Sequence, residues 1–356
     1  MVTEARSQAA ATRRIQIAPT IVPLLGLLLV LGVFGWLGVN VYKAPAQFFG
    51  VLFIGITNGS VYALIALGYT LVYGILELIN FAHGDVFMIG GMATATLAVS
   101  LFHLQDGAAL SALIPAVLGM LAIAMLGCGA LNALIEFVAY RPLRGAPRLA
   151  PLITAIGVSF ILQDVGLIWK GPGYTSVPAT LPHGNVFTVG GVSYTWDKLI
   201  VLLVTVPVLL GLVWLVQLTR QGKAMRATAQ DKDAAAMMGI DVNRTISFTF
   251  MIAGALAGAA GVLYALYYTN LRYDQGFQLG LIAFTAAVLG GIGNLPGAVL
   301  GALLIGLIQA FNEGLSWPPG KVPGSTWTQS IVFSILILIL VFRPEGLLGE
   351  RTPEGQ

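Results

Sequence analysis

The stretch "LELINFAHGDVFMIGG", Leu76 to Gly91, sets Glu77, Asn80, His83 and Asp85 within nine residues of a chain that is otherwise nearly free of charge. Three readings compete for it: a catalytic cluster, a metal site, or an interrupted membrane helix. Composition decides the setting. Of the residues, 57% are hydrophobic and only 9% charged, with a mean hydropathy of +0.87, whereas a soluble domain carries about 25% charged residues. Runs without Asp, Glu, Lys or Arg extend over Ile15–Tyr42, Ala44–Leu76, Val86–Gln105, Gly107–Ile135, Leu199–Thr219, Thr245–Leu271, Gln275–Asn312 and Val322–Phe342. Each reaches the roughly 20 residues that cross a bilayer. They are continuously apolar and lack the short alternating segments of a membrane barrel. The fold class expected is therefore an all-α integral membrane protein.

Working outward from the quoted stretch, the charges fix a topology. Thirteen of the 18 basic residues fall in four places: Arg6, Arg13 and Arg14; Arg141, Arg144 and Arg148; Arg220, Lys223, Arg226, Lys232 and Arg244; Arg343 and Arg351. Cytoplasmic loops concentrate such residues, so all four, with both termini, are expected inside. The net charge of +3 and the pI near 9.0 then reflect orientation, and no nucleic-acid partner is implied. From an outside loop near Lys43 to the inside loop at Arg141 the chain crosses an odd number of times. Ala44–Leu76 as one helix would be about 50 Å long, so one crossing should end near Glu77 and another start near Asp85. Gln275–Asn312 would make about 57 Å and needs a break, which "GGIGNLPG", Gly290–Gly297, supplies through glycine freedom and a proline without a donor. About ten crossings result, some of them short or broken. The Gly/Pro/Thr/Val-rich segment Lys170–Trp196 suits a hairpin or extended segment outside. Ile21–Val39 is longer than a signal-peptide core and reads as a retained span, although "APA" at Ala44–Ala46 leaves cleavage open.

Helix breaks at membrane depth survive only under a cover of protein or water, and transporters place them where substrate binds. "NFAHGD" and "GGIGNLPG" both have this character, and Gly84-x3-Met88 echoes Gly297-x3-Gly301 as the trace of an internal repeat. Candidate substrate-path residues are Asn58, Asn80, His83, Gly84, Asp85, Gly293, Asn294 and Gly297. The competing structural reading has Asp85 at the positive start of the next helix, with Asn80 and His83 serving the loop backbone. Gly55-x3-Gly59 allows close helix approach. Glu136 beside Arg141 and Asp164 near Lys170 read as interfacial pairs.

Catalysis finds little support. No serine or cysteine nucleophile accompanies Glu77 and Asp85, and His83, His103, His183 and the lone Cys128 lack metal-ligand spacing, so no catalytic residue, metal or cofactor is expected. No G-x4-G-K-[ST] loop is present; the chain cannot hydrolyse ATP by that route, so pumping requires a partner or an ion gradient. The charged loop Thr219–Phe248 carries "AAAMM", an apolar stripe that fits a short amphipathic helix ending at Gly239. Such a helix suits docking into a protein groove or lying on lipid headgroups.

Three stretches together carry a resemblance: "GITNGSVYALIALGYTLVYGILELINFAHGDVFMIGG", "MRATAQDKDAAAMMGIDVNRTISFTFMIAGALAGAAGVLYA" and "LGLIAFTAAVLGGIGNLPGAVLGALLIG". From about Phe48 to Gly346 the chain resembles the inner-membrane permeases of ABC importers for branched-chain amino acids, of the LivH type. The resemblance implies a second, LivM-like permease, two cytoplasmic ABC ATPase subunits and a periplasmic substrate-binding protein as partners, all at the bacterial inner membrane. The transmembrane domain is expected over residues 21–346, between a cytoplasmic extension (1–20) and a cytoplasmic tail (347–356) that the resemblance does not cover. Residues 220–245 would be its ATPase-coupling segment, with Arg226, Ala229, Asp231, Ala235, Ala236, Gly239 and Ile240 in the pattern. "AQDKDAAAMMG" departs from the "EAA" spelling of other importers, so their docking details do not transfer. Two other functions remain open: a permease for urea or short amides, and an ion-coupled secondary transporter using Glu77, Asp85 or Asp164.

Overall fold

The computed structural model describes residues 21–76, 80–147, 149–182, 184–316, 325–343 and 345–349; Glu77 and His183 lie outside them. Helices account for most of the described residues. They are α1 (Ile21–Lys43), α2 (Pro45–Leu76), α3 (Ala82–Ser100), α4 (Leu110–Ile135), α5 (Leu149–Lys170), α6 (Trp196–Leu218), α7 (Arg220–Gln230), α8 (Lys232–Met237), α9 (Val242–Tyr268), α10 (Gln275–Gly290), α11 (Leu295–Gly314) and α12 (Thr328–Phe342). Among the described residues, six helices are long and apolar enough to cross a membrane: α2, α4 with its extension to Leu143, α5, α6, α9 and α11; α10 and α12 are shorter and apolar. Three helices, α2, α3 and α4, separate Lys43 from Arg141, and the break in 275–312 falls at Gly291–Asn294.

The elements end where the sequence supplies stops. Pro45 opens α2 at a position where a missing N–H costs nothing. The α10–α11 turn needs positive φ at Gly291 (106°) and Gly293 (95°), which only glycine adopts readily. Asn294 then caps α11, its Oδ1 accepting from the Gly297 N–H at 2.9 Å. Between α5 and α6 lies the expected hairpin, β2 (Asn185–Val189) with β3 (Val192–Thr195), while β1 (Thr175–Ser176) pairs with β4 (Asn270–Leu271).

Helices α2 and α9 form the most buried pair and lie side by side. Along them run α11, against α2, and α4, against α9. Helices α3 and α10 pack on each other, α3 also covering α9 and α4, and α10 covering α2 and α11. Helix α5 flanks α3 and α12 flanks α10, while α6 lies against α2 and α9. Lipid gives helices no hydrophobic reason to associate, so close approach of small residues has to do so. The Gly55-x3-Gly59 spacing serves this purpose: a Cβ on Gly59 would sit 2.7 Å from the Leu303 Cα, and one on Gly306 would sit 2.4 Å from the Gly59 nitrogen.

At the α7 end of the bundle the buried Glu136 carboxylate accepts hydrogen bonds from Arg144 and Ser247. The partner is therefore Arg144 and not the expected Arg141. Five residues put Arg141 about 140° from Glu136 on an ordinary helix, and it lies over the Phe137 ring instead; Glu136–Tyr140 form a π turn that passes into a tighter turn leading to Arg144. The Asp164–Lys170 pairing also gives way, because six residues separate the two by about 120° around a helix; Lys170 lies over Trp169, 5.3 Å from the ring centroid. Breaking a fully buried pair costs about 3–5 kcal/mol. Arg144 keeps a side-chain exposure of 21% and can rehydrate, so Glu136→Ala is expected to cost about 2 kcal/mol, read as a lowered unfolding midpoint in detergent. An unchanged midpoint would mean that the contact contributes nothing.

Candidate functional site

Two helices begin inside the bundle rather than at its edges. His83, in the first turn of α3, packs so closely on Gly68 that a Cβ there would lie 2.2 Å from the imidazole. Gly68 precedes the end of α2 by eight residues, about 12 Å at 1.5 Å per residue. Helix α3 therefore starts inside the bundle, short of the level at which α2 ends. The same happens from the opposite end. Thr269 takes a left-handed φ of 58° after α9, and Leu271 returns to the level of Gly91 and Gly261, about 10 Å short of the end of α9. Helix α10 starts just beyond.

The two starts meet. A Cβ on Gly84 would be 2.4 Å from the Gly276 carbonyl oxygen and 2.8 Å from the Gly280 Cα; one on Gly280 would come within 2.9 Å of the Tyr69 hydroxyl. The first turns of an α-helix carry unpaired N–H groups and a partial positive charge, here brought from two directions to one place. Around it lie buried polar side chains. Asp85 is fully buried and accepts from the Ser159 hydroxyl of α5, which in turn accepts from Gln163 at 3.2 Å; its other carboxylate oxygen has no hydrogen-bond partner. The Asn80 side-chain carbonyl accepts from the Tyr140 hydroxyl at 2.7 Å. The His83 ring meets the Tyr69 ring edge-on at 4.8 Å between centroids. Asp85 does not cap α3, whose start has no side-chain cap, and its hydrogen bond reaches across to a neighbouring helix.

The other sequence candidates lie elsewhere. Asn58 accepts from the Tyr268 hydroxyl at 2.9 Å, near the hairpin end of α9. Gly293, Asn294 and Gly297 belong to the α10–α11 turn at the α7 end, where Asn294 also donates to the Leu348 carbonyl at 2.8 Å. Gly293 and Asn294 line a cavity of about 370 Å³ shared with Gly74, Met225, Arg226 and Ala229. The structure thus brings this turn to the charged segment of residues 220–245 and apart from His83 and Asp85.

In that segment, Arg226 donates to the Val216 and Gln217 carbonyls at 2.7 and 3.2 Å, satisfying acceptors left over at the end of α6. Gly222 permits the tight α6–α7 corner, since a Cβ there would be 2.2 Å from the Val216 oxygen. Asp231 caps α8 through bonds from the Asp233 and Ala234 N–H groups, both 2.9 Å, and Gly239 ends it with φ 83°. Ala235 faces inward, while Ala236, Met237 and Met238 protrude, the two methionines 82% and 83% exposed. Ile240 lines a second cavity beside Arg244 and Phe248.

Ser159 and Tyr140 escape sequence reasoning, because they meet Asp85 and Asn80 from 74 and 60 residues away. Gly276 and Gly280 do leave a signal, the small-xxx-small spacing of close helix packing. Among the described residues no three His, Cys, Asp or Glu side chains group as metal ligands.

A multi-pass helical bundle whose polar interior is built from opposed helix starts, with an apolar knob on rigid corners at one end, has the form of a membrane transport subunit. The chain belongs to the family described as branched-chain amino acid transport system / permease component, which it matches over residues 51–341. It is 42% identical over 303 residues to the high-affinity branched-chain amino acid transport system permease protein BraD of Pseudomonas aeruginosa, covering 84% of this chain and 95% of that protein. Similarity to LivH of Escherichia coli K12, named for the same transport system, is 37% over 309 residues, or 85% and 96% of the two chains. LsrC of Yersinia enterocolitica, an autoinducer 2 import system permease, is 26% identical over 326 residues, covering 89% of this chain and 81% of LsrC.

Proposed function

We propose that this chain is the permease subunit of an ATP-driven importer that carries branched-chain or related hydrophobic amino acids across the bacterial inner membrane. The observation that carries the reading is the near full-length likeness to permeases named for that transport. The partners are a second, LivM-like permease, two cytoplasmic ATPases and a periplasmic binding protein. The exposed Ala236–Met238 knob supports an ATPase contact, and Arg226, which clips α7 to the end of α6, supplies a stiff link from that contact to a spanning helix.

In this reading residues 21–346 form the transmembrane domain, and α1–α6 with α9–α12 make ten crossings with both ends cytoplasmic; among the described residues these are the ten helices of 15 residues or more. The packing supports an inverted repeat relating α2–α5 to α9–α12, since exchanging the two sets reproduces the same neighbours. That register sets α3 against α10, and so differs from the match of Gly84–Met88 with Gly297–Gly301.

The opposed starts of α3 and α10 bring two sets of first-turn N–H groups together beside the buried Asn80, His83 and Asp85 side chains, and helix starts of this kind can receive a substrate carboxylate. Asn80, His83, Gly84 and Asp85 lie on this path. Labelled leucine uptake by cells lacking the gene, with and without a plasmid copy, tests the substrate. Restored uptake, competed by excess valine and indifferent to urea, is the expected outcome. Competition by urea alone would transfer the assignment to amides.

A further inference from the structure

Helix α4 does not end in the α register. Its last turn, Glu136–Tyr140, is a π turn, a form that occurs mostly as single turns and often at functional sites. Both ends of this turn are held by side chains from other elements. At its start the buried Glu136 carboxylate accepts from Ser247, in the second turn of α9, and from Arg144, which also donates to Asn243 in the first turn of α9. At its end the buried Tyr140 hydroxyl donates to the Asn80 side chain at 2.7 Å, just before α3 begins. Above the turn α4 is clamped to α9: Asn132 donates to the Phe250 carbonyl at 2.7 Å, and a Cβ on Gly254 would lie 2.4 Å from the Cys128 oxygen. The π turn is therefore the part of this contact that can change.

The first turns of α9 are also the nearest spanning structure to α8. Only Met238–Asp241 separate the two helices, and Asp241 caps α9 by accepting from the Arg244 N–H at 3.0 Å. We propose that the π turn Glu136–Tyr140 links movement of α8 to the start of α3, with Ser247 and Asn243 holding its near end through Glu136 and Arg144, and Tyr140 acting at its far end on Asn80. When α8 draws the first turns of α9 aside, the buried Glu136 carboxylate loses donors that offset its burial, and the turn is released from its register. A change of one residue there rotates Tyr140 by about 100° around the helix axis, away from Asn80, and frees the chain leading into α3. Glu136, Tyr140 and Ser247 are in this account positioning residues, which act through Asn80. The inference rests on the ATP-driven reading given above.

The test uses the whole transporter in proteoliposomes and reads leucine delivered per ATP hydrolysed, a ratio that a smaller amount of folded protein leaves unchanged. Tyr140→Phe keeps the ring that packs on Phe250 and deletes only the hydroxyl, while Ser247→Ala opens the route at its α9 end. Each is expected to lower the ratio at least about threefold, the size of one neutral hydrogen bond lost from the coupled state. ATP hydrolysis itself should continue at the wild-type rate. Asn243→Ala, at an exposed position that folding tolerates, is expected to act in the same direction. Because the links lie in series, the Tyr140→Phe, Ser247→Ala double variant should fall no further than the lower of the single ones. Tyr62→Phe is the control: it deletes a buried hydroxyl bond of similar length, 2.6 Å to Gln309, off the route, and should keep the wild-type ratio. Wild-type ratios in Tyr140→Phe and Ser247→Ala overturn the link. So does a double variant whose loss is the product of the single losses, since the two sites would then act independently. An equal loss in Tyr62→Phe overturns it as well, by showing that any loosening of the bundle uncouples transport. A wild-type complex that takes up leucine without hydrolysing ATP refutes the ATP-driven reading instead, so the two failures are distinguishable.

Discussion

Gly84→Val is expected to remove folded permease from the membrane, leaving less than about a tenth of the wild-type amount. Backbone surrounds the glycine: the Gly276 carbonyl oxygen and the Gly280 Cα would lie 2.4 and 2.8 Å from a new Cβ. Overpacking costs about 1–3 kcal/mol where side chains can yield, and more is expected here because two helix starts would have to part. Separating them would also uncover N–H groups that lipid cannot satisfy. Quantification of detergent-extracted, monodisperse protein tests this. Valine at Gly127, where an added Cβ would meet nothing within 4 Å, is the control and should express normally. A Gly84→Val protein that extracts at wild-type yield would mean that the α3–α10 contact is loose.

Ala236→Asp separates folding from coupling. The residue is exposed on the α8 knob between the buried Ala235 and the protruding Met237, so the bundle should tolerate the change with a stability effect within about 0.5 kcal/mol. Against an ATPase groove the new carboxylate would be desolvated without a partner, at about 1–3 kcal/mol or more. Leucine uptake is therefore expected to fall at least about tenfold while the amount of membrane-inserted permease stays constant. Uptake at the wild-type rate would remove α8 from the coupling route.

Much of this was legible from spacing. Charge-free runs and their lengths placed the breaks at Glu77–Asp85 and at Gly290–Gly297, because helix rise and bilayer thickness leave no alternative for runs of about 50 Å. The short helix of the charged loop was equally local: "AAAMM" with Gly239 as stop read directly as one short helix, and the structure adds Asp231 as its cap. Depth was not legible. The two breaks look alike as strings of glycine and polar residues, yet the α10–α11 turn lies beside α7 while the start of α3 lies inside the bundle. That difference depends on which helices lie alongside, and helix packing in lipid is decided by the fit of small residues over long sequence separations. The segment that leads to the contact with the α3 start, "LRYDQG" at the opening of α10, lacks the glycine-proline character that drew attention to "GNLPG". The Glu136–Arg144 pair was missed for a local reason: the helix gives way to a π turn and then a tight turn between the two residues, so the partner lies eight residues on and not at the nearer Arg141.

Purified complex reconstituted in proteoliposomes, with the second permease, both ATPases and binding protein loaded with labelled leucine, separates ATP-driven import from ion coupling. With ATP supplied on the α7–α8 side and no ion gradient, leucine should be transported to the side where ATP is hydrolysed, and omission of ATP should abolish it. Leucine accumulation driven by an imposed proton or sodium gradient without ATP would contradict the account and return Asp85 and Asp164 to the role of ion-coupling carboxylates.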